Sequence, residues 1–199
     1  MICSRRCAGL VLLALLAGCT PAPVRPDQAL LVAQGARERQ LQGHDHWTIH
    51  ARLGVSDGEH GGSGSLLWVR RGRTFDFELQ APVTGRSFRL HGEPGQVRLD
   101  GLDQGSLNGG DARTLLLQAL GWQVPMTQLD FWVRGMRAPG SQARLLFDKD
   151  GLPTQLIQDG WTVKYRDWYP ETNPPLPRRV FASRGDDRVR MVINSWVLQ

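Results

Sequence analysis

Short runs of alternating apolar and polar residues, separated by turn residues, occupy most of the chain from residue 47 to its end. In the first run, apolar side chains stand at every second position from Trp47 to Val55. This period of two is typical of a strand with one buried face, because successive side chains of a strand point to opposite faces. On this pattern we predict strands at residues 47–55, 65–71, 75–79, 88–90, 97–99, 143–148, 154–158, 161–168, 179–184 and 188–198.

Turn signals connect these runs as hairpins. Asp-Gly or Gly-Asp pairs stand at 150–151, 159–160 and 185–186, and such pairs favour tight hairpin turns. The Gly-Gly-Ser-Gly-Ser sequence at 61–65 is predicted to be the loop of an earlier hairpin. In the last run, period-two counting puts Val189, Met191 and Ile193 on one face and Val192, Trp196 and Leu198 on the other.

One helix is predicted before the strands, and two short helices interrupt them. Asp27 is a candidate N-cap for a helix to about Leu41, and Asp111 is a candidate N-cap for residues 112–120, which Gly121 ends. Thr127 to Asp130 has the spacing of a capping box for a third helix, closed by Gly135 and Pro139. About ten or eleven strands with these helices predict one curved antiparallel sheet or barrel with a helical lid.

The aromatic residues allow two interpretations. Most of them lie in the strand runs, and Trp132 lies in the third helix of the predicted lid. They are either the filled core of the sheet or the lining of a cavity for a hydrophobic ligand such as a lipid. The sequence does not distinguish a filled interior from a hollow one.

Enzymatic signals are weak. The chain contains no G-x-S-x-G, no H-E-x-x-H and no phosphate-binding glycine loop. His44, His46 and His50 share parity and form a conceivable metal site, but the simpler interpretation is three solvated imidazoles on the outer face of the first strand. Asp100, Asp103 and Asp111 do not define a catalytic pair. We therefore predict neither an enzyme nor a cofactor nor a metal site.

The N-terminus has the form of an export signal. Arg5 and Arg6 precede an apolar stretch at residues 8–17, which is too short to span a bilayer but has the length of a signal-peptide core. The following Leu16-Ala17-Gly18-Cys19 resembles the bacterial lipobox, in which the cysteine becomes the lipidated N-terminus; an ordinary signal peptide with an incidental cysteine is the alternative. The sequence thus predicts a signal peptide at 1–18, a lipidated Cys19 with a Pro-rich tether at 19–26, and one domain at 27–199.

Cysteine content and charge argue against a disulfide-stabilised protein and against a nucleic-acid-binding protein. No cysteine follows Cys19, so no disulfide is expected in the mature chain. The formal net charge of +5 comes from scattered cations, with no basic run longer than a pair. We attribute this excess to compositional bias, and a nucleic-acid partner is not expected.

Motifs in the second half carry a resemblance to a known family. They are Val124-Pro125-Met126, Leu129, Trp132, Gly135, Gly151-Leu152-Pro153, Trp161-Thr162-Val163-Lys164-Tyr165, Leu176-Pro177 and Ile193-Asn194-Ser195-Trp196-Val197-Leu198. In this order, and with the lipobox, the chain resembles the outer-membrane lipoprotein receptor family LolB. The resemblance implies a mainly β fold: a single curved antiparallel sheet forming an unclosed barrel of about 11 strands, with short helices as a lid over a hydrophobic cavity.

The resemblance also implies a function. The protein would accept triacylated lipoproteins from the periplasmic carrier LolA and insert them into the outer membrane without nucleotide hydrolysis. It would be a monomer anchored in outer-membrane lipid through Cys19 and facing the periplasm, and Thr20 after the cysteine agrees with outer-membrane sorting. The alternative is another lipid-binding or hydrophobic-ligand-binding lipoprotein, such as an envelope sensor, on a similar open barrel.

Two sets of residues follow from the resemblance. In the family, a protruding loop presents a leucine for membrane delivery, and the corresponding segment here is Pro82, Val83, Thr84 and Gly85, with Val83 in place of the leucine. The candidates for the acyl cavity are Ile49, Leu53, Trp68, Phe75, Phe77, Phe88, Leu90, Leu116, Leu120, Trp132, Phe147, Trp161, Tyr165 and Trp196.

Overall fold

The computed structural model describes residues 26–81 and 85–199. The predicted signal peptide, Cys19, most of the tether, and Pro82, Val83 and Thr84 lie outside the described residues. Three helices and eleven strands follow one another along the chain: α1 (Gln28–Gln42), β1 (His46–Ser56), β2 (Gly61–Arg71), β3 (Thr74–Ala81), β4 (Arg86–Glu93), β5 (Gln96–Asp100), β6 (Leu107–Gly109), α2 (Ala112–Leu120), α3 (Met126–Trp132), β7 (Ala143–Phe147), β8 (Pro153–Gln158), β9 (Trp161–Tyr169), β10 (Leu176–Arg184) and β11 (Asp187–Leu198).

All eleven strands belong to one antiparallel sheet. The strand order is β6-β5-β4-β3-β2-β1-β11-β10-β9-β8-β7, so each strand pairs with its neighbour in sequence and β11 returns to pair with β1. The two ends of the order, β6 and β7, do not pair with each other, and the sheet is therefore not closed. The prediction of a mainly β, unclosed antiparallel sheet of about 11 strands is confirmed.

A β-bulge reorients the end of the last strand. Ala51 pairs with Ile193 but His50 pairs with Ser195, so Asn194 is an extra residue in β11. The parity changes there, and Trp196 and Leu198 lie opposite Ile49 and Trp47 on the inner face. The prediction that they share a face with Val192 is wrong, because period-two counting does not register a bulge.

The inner face of the sheet forms the core. Trp47, Ile49, Ala51, Leu53 and Val55 are all buried, as their alternation predicts. Helix α2 packs on β5 and β6, and α1 contributes Leu30 and Leu31 to the same cluster. Asp27 and Asp111 cap α1 and α2 through hydrogen bonds from Leu30 N and Thr114 N, which confirms both predicted caps.

Two local predictions are wrong. Residues 61–65 are not a loop but the first half of β2, paired with β1 from Ser56–Gly61 onward, and the reversal occurs at 57–60. Thr127 does not cap α3, which begins at Met126 after Pro125 and has no side-chain cap. The Pro125 carbonyl already accepts a hydrogen bond from Leu129 N at 2.8 Å, so Thr127 lies inside the helix.

Gly64 in β2 packs closely against the backbone of β3. A Cβ on Gly64 would lie 2.1 Å from the Gln80 carbonyl oxygen of β3. We expect Gly64→Ala to lower the free energy of unfolding by about 2 kcal/mol or more, because the backbone of β3 must move. Thermal or denaturant unfolding measures this loss. Gly54→Ala in β1 is the matched control, since nothing lies within 4 Å of its Cβ position, and equal losses in both variants would contradict the packing argument.

Candidate functional site

The fourteen residues predicted to line an acyl cavity all lie in one hydrophobic cluster on the inner face of the sheet and under the helices. Ten are buried, and Phe75, Phe88, Leu120 and Trp196 are partly buried. The indoles of Trp47 and Trp68 meet edge to face at 5.2 Å between ring centroids, and Trp68 meets Phe77 at 5.3 Å. The centre of this inner face is therefore closely packed aromatic side chains.

Two cavities border the predicted lining residues. The larger of the two has a volume of about 640 Å³ and lies beside the end of α2. Leu79, Ala81, Phe88, Leu120 and Trp122 form its apolar wall, and its rim includes Glu59, His60 and Arg86. In this wall the rings of Phe88 and Trp122 meet edge to face, with 6.4 Å between their centroids. Ala81 and Arg86, which flank residues 82–85 in the sequence, are both part of its lining.

A smaller cavity of about 260 Å³ lies between α3 and the sheet. Trp68, Phe75, Met126 and Phe131 supply apolar walls, and Asp130 is one of its polar residues. The Asp130 Oδ1 atom is buried and accepts no hydrogen bond within the described residues. Burial raises the pKa of the Asp130 carboxyl above its usual value, against the opposing charges of two nearby arginines, Arg134 and Arg70.

The two cavities account for part of the predicted lining. Trp68 and Phe75 border the smaller one, and Phe88 and Leu120 border the larger one. Whether any of the fourteen candidates contacts acyl chains stays a prediction. Five further residues border these cavities and were not among the candidates, because nothing in the sequence marks their positions as cavity lining: Leu79, Ala81, Trp122, Met126 and Phe131.

A polar framework fixes the segment after α3, and sequence patterns did not reveal it. Arg37 of α1 donates to the carbonyl oxygens of Gly135 at 2.9 Å, Arg134 at 2.8 Å and Pro175 at 2.6 Å. Burial lowers its pKa to about 10, so the guanidinium remains charged at neutral pH. Its neighbour Glu38 accepts three side-chain hydrogen bonds from Arg137; burial raises the pKa of Glu38, but these bonds outweigh burial and hold it below the usual value.

Gln158 is the second anchor of this segment. Its Oε1 accepts from Trp132 Nε1 and from Ala138 N, both at 2.9 Å. Its Nε2 donates to Ala138 O at 2.7 Å and to Ser141 Oγ at 2.9 Å. The amide of this buried side chain is thus fully used in joining the end of α3 to β8.

Other site hypotheses gain no support. His46 and His50 are exposed on β1, whereas His44 precedes the strand and is half-buried, and His46 Nδ1 lies 2.7 Å from Asp45 Oδ1. Within residues 26–81 and 85–199, no group of three or more His, Cys, Asp or Glu side chains is placed to hold a metal ion. Over the same residues, no helix has the length and apolar character needed to cross a membrane.

Comparison with known proteins places the chain in a family. The sequence model of a family described as outer membrane lipoprotein LolB matches residues 45–196. The chain belongs to the LolB family. An outer-membrane lipoprotein LolB from Xanthomonas campestris is 40% identical over 91% of this chain and 86% of its own length, and one from Xylella fastidiosa is 37% identical over 94% and 90%.

Membership in the LolB family confirms the resemblance predicted from the motifs. It supports the expectation of an outer-membrane lipoprotein, and LolB is not a known enzyme family. A LolA superfamily protein from Nitrosomonas europaea, known from a crystal structure, matches with a TM-score of 0.57 over 85% of this chain and 93% of its own, at 9% identity. At that identity the likeness concerns the fold alone, and it agrees with the unclosed sheet.

Proposed function

We propose that the protein accepts triacylated lipoproteins from the periplasmic carrier LolA and inserts them into the outer membrane without nucleotide hydrolysis. The observation that carries this proposal is a 640 Å³ cavity with an apolar wall, on an unclosed sheet in a LolB-family chain. Such a cavity can shield acyl chains while the loop approaches a bilayer.

The energetics define what the cavity must do. Exposing one acyl chain to water costs on the order of 10 kcal/mol at ~0.8 kcal/mol per CH₂, so cargo must pass from one shielded site to the next. Transfer needs no nucleotide if this protein holds acyl chains more tightly than the carrier. Each ~1.4 kcal/mol of better affinity gives a tenfold bias toward this protein.

The same proposal includes the anchor and its placement. Residues 1–18 are a signal peptide, residues 19–26 are a lipidated Cys19 and a Pro-rich tether, and residues 27–199 are the lipid-binding domain. The family's outer-membrane name supports this arrangement. The domain is a monomer that faces the periplasm, tethered at up to roughly 20 Å from the membrane at ~3.1 Å per residue.

The decisive experiment mixes the anchor-free protein with LolA carrying a radiolabelled lipoprotein, followed by separation of the two proteins. We expect the label to move to this protein without added nucleotide. Label that stays on LolA, with both proteins folded, would contradict the receptor role and favour an open-barrel lipoprotein with another ligand. Binding of free fatty acid without uptake of cargo would indicate the alternative lipid carrier or envelope sensor.

Leu120 tests the larger cavity. It is partly buried and lines the cavity wall near the end of α2. Leu120→Gln should lower the affinity for an acylated peptide about tenfold, because a buried amide there lacks partners and meets the acyl chain. Leu117→Gln on the same helix is the control, since Leu117 is 45% exposed and should tolerate the change. Equal affinities for the two variants in a fluorescence titration would remove the larger cavity from the acyl site.

Val83 tests the delivery loop. Val83→Glu should leave uptake of cargo unchanged and slow its insertion into liposomes at least fivefold, since a carboxylate resists entry into the bilayer. Val32→Glu is the matched control, because Val32 is 59% exposed on α1 and far from the loop in sequence. Insertion at the wild-type rate by Val83→Glu, measured by protease protection of the cargo, would show that the loop does not deliver it.

A further inference from the structure

Six cations are brought together on the outer surface of the sheet. They lie on β1, β9, β10 and β11, at alternate positions whose neighbours point into the core. The strand register sets them in adjacent rows: Phe181 lies between Lys164 and Arg190, and Arg179 lies opposite Arg166. We call this surface the basic face; it consists of Arg52, Lys164, Arg166, Arg179, Arg188 and Arg190.

The charges of the basic face are poorly balanced. Arg166 and Arg179 are direct cross-strand partners, an arrangement that destabilises a sheet. Asp167 forms an ion pair with Arg179 at 3.2 Å. Arg52, Lys164, Arg166 and Arg190 form no ion pair with any described residue. Like charges kept together at a cost to stability indicate an interaction with an anion outside the chain.

The other half of the same outer surface shows the opposite pattern. On β3 and β4, Glu78 lies opposite Arg89 and pairs with it at 2.9 Å, and Asp76 pairs with Arg71 at 3.0 Å. Arg98 likewise pairs with Asp100 at 2.9 Å. Charge balance is therefore attainable on this fold, and its absence on the basic face is a local property. The expectation that the cations are merely scattered is wrong for this surface.

The basic face contains a depression. It has a volume of about 400 Å³ and is lined by Phe181 together with Lys164, Arg166, Arg188 and Arg190. The Arg166 guanidinium lies 6.0 Å from the centroid of the Phe181 ring. Arg188 is turned toward the carbonyls of Gly185 and Asp187. Several guanidinium groups gathered around a half-buried aromatic ring supply hydrogen-bond donors that match the geometry of phosphate groups.

We propose that the basic face binds the phosphate groups of anionic phospholipids at a bilayer surface. The chain belongs to an outer-membrane lipoprotein family, so a bilayer is its expected neighbour. Several cations within a Debye length of an anionic surface act together, each adding to the attraction. This contact is separate from acyl transfer and does not depend on it.

The test uses the mature chain from residue 19 with Cys19→Ala, so that no acyl anchor contributes. Binding is measured by co-sedimentation with vesicles of phosphatidylcholine alone or with about 30% phosphatidylglycerol. The test variant is Lys164→Gln, Arg166→Gln and Arg190→Gln together. The control variant is Arg39→Gln, Arg73→Gln and Arg113→Gln, which removes the same charge from exposed positions off the basic face.

We expect binding only to the phosphatidylglycerol vesicles. The test variant should lose at least twentyfold in vesicle affinity, since each cation contributes a factor of about five to that affinity. The control should stay within about twofold. Equal binding to both vesicle types, or equal losses in the two variants, would overturn the proposal. So would retention on immobilised polyglutamate without binding to vesicles, because the face would then recognise an acidic protein. Uptake of label from LolA by the test variant separates this result from the proposed transfer function.

Discussion

Replacing Trp132 with alanine should lower the free energy of unfolding by about 3 to 5 kcal/mol. Trp132 is 0% exposed at the end of α3, and its ring lies 6.1 Å from that of Trp161. Its Nε1 also donates to Gln158 Oε1, so the truncation leaves a cavity and removes one of the two hydrogen bonds that this buried amide oxygen accepts, the other coming from Ala138 N. Denaturant unfolding followed by far-ultraviolet circular dichroism measures the loss.

Two further variants separate these contributions. Trp132→Phe keeps most of the ring and removes the donor, so it should cost about 1 to 3 kcal/mol. Leu117→Ala, at a half-exposed position of α2, should change stability by less than about 0.5 kcal/mol. A Trp132→Ala protein as stable as the Leu117→Ala protein would contradict the role of Trp132 in holding the lid segment on the sheet.

Changing Cys19 to alanine should convert the protein from fully membrane-bound to fully soluble. Each lost acyl chain removes on the order of 10 kcal/mol of partition free energy, far more than the protein surface supplies. The variant is exported behind a secretory signal peptide that is completely removed, so that an uncut leader does not hold it. Fractions are separated after a wash at about 0.5 M salt, which screens contacts of the basic face with lipid phosphates.

Cys7→Ala in the otherwise native chain is the control, because Cys7 lies in the predicted signal peptide and carries no anchor. It should remain in the washed membranes and incorporate labelled palmitate. Cys19→Ala protein found in the washed membranes would refute the assignment of the anchor. Release of the protein together with retained transfer of cargo from LolA would show that anchoring and acyl binding are separate functions.

Periodicity and capping predicted much of the fold. The alternation of Trp47, Ile49 and Leu53 placed the inner face of β1 correctly, and Asp27 and Asp111 located two helices. The short strand β6 was not predicted, because Leu107 to Gly109 is too brief to show a period. The glycines of β2 suggested a loop. They are required because Gly64 packs against Gln80 and Gly62 packs against Trp122, and the local sequence does not show these contacts.

The sequence predicted an apolar site but not the arrangement of its residues. The aromatic strands indicated an apolar interior, and all fourteen candidates lie in it. Which residues line a cavity depends on where α2 and α3 lie on the sheet. Leu120 and Trp122 at the larger cavity are examples. Arg37, Glu38 and Gln158 were missed because polar residues in amphipathic elements are usually exposed, and only distant partners such as Gly135 and Ala138 bury them.

The sequence by itself determined the class of fold, the positions of most strands and two helix starts, and the family, because period, caps and turns are local signals. The tertiary structure alone decided the bulge at Asn194, the polar framework around Gln158 and the basic face. Arg52 and Arg190 lie 138 positions apart along the chain, and only the pairing of β1 with β11 brings their strands side by side. Such features arise from strand register between distant segments, which no local pattern encodes.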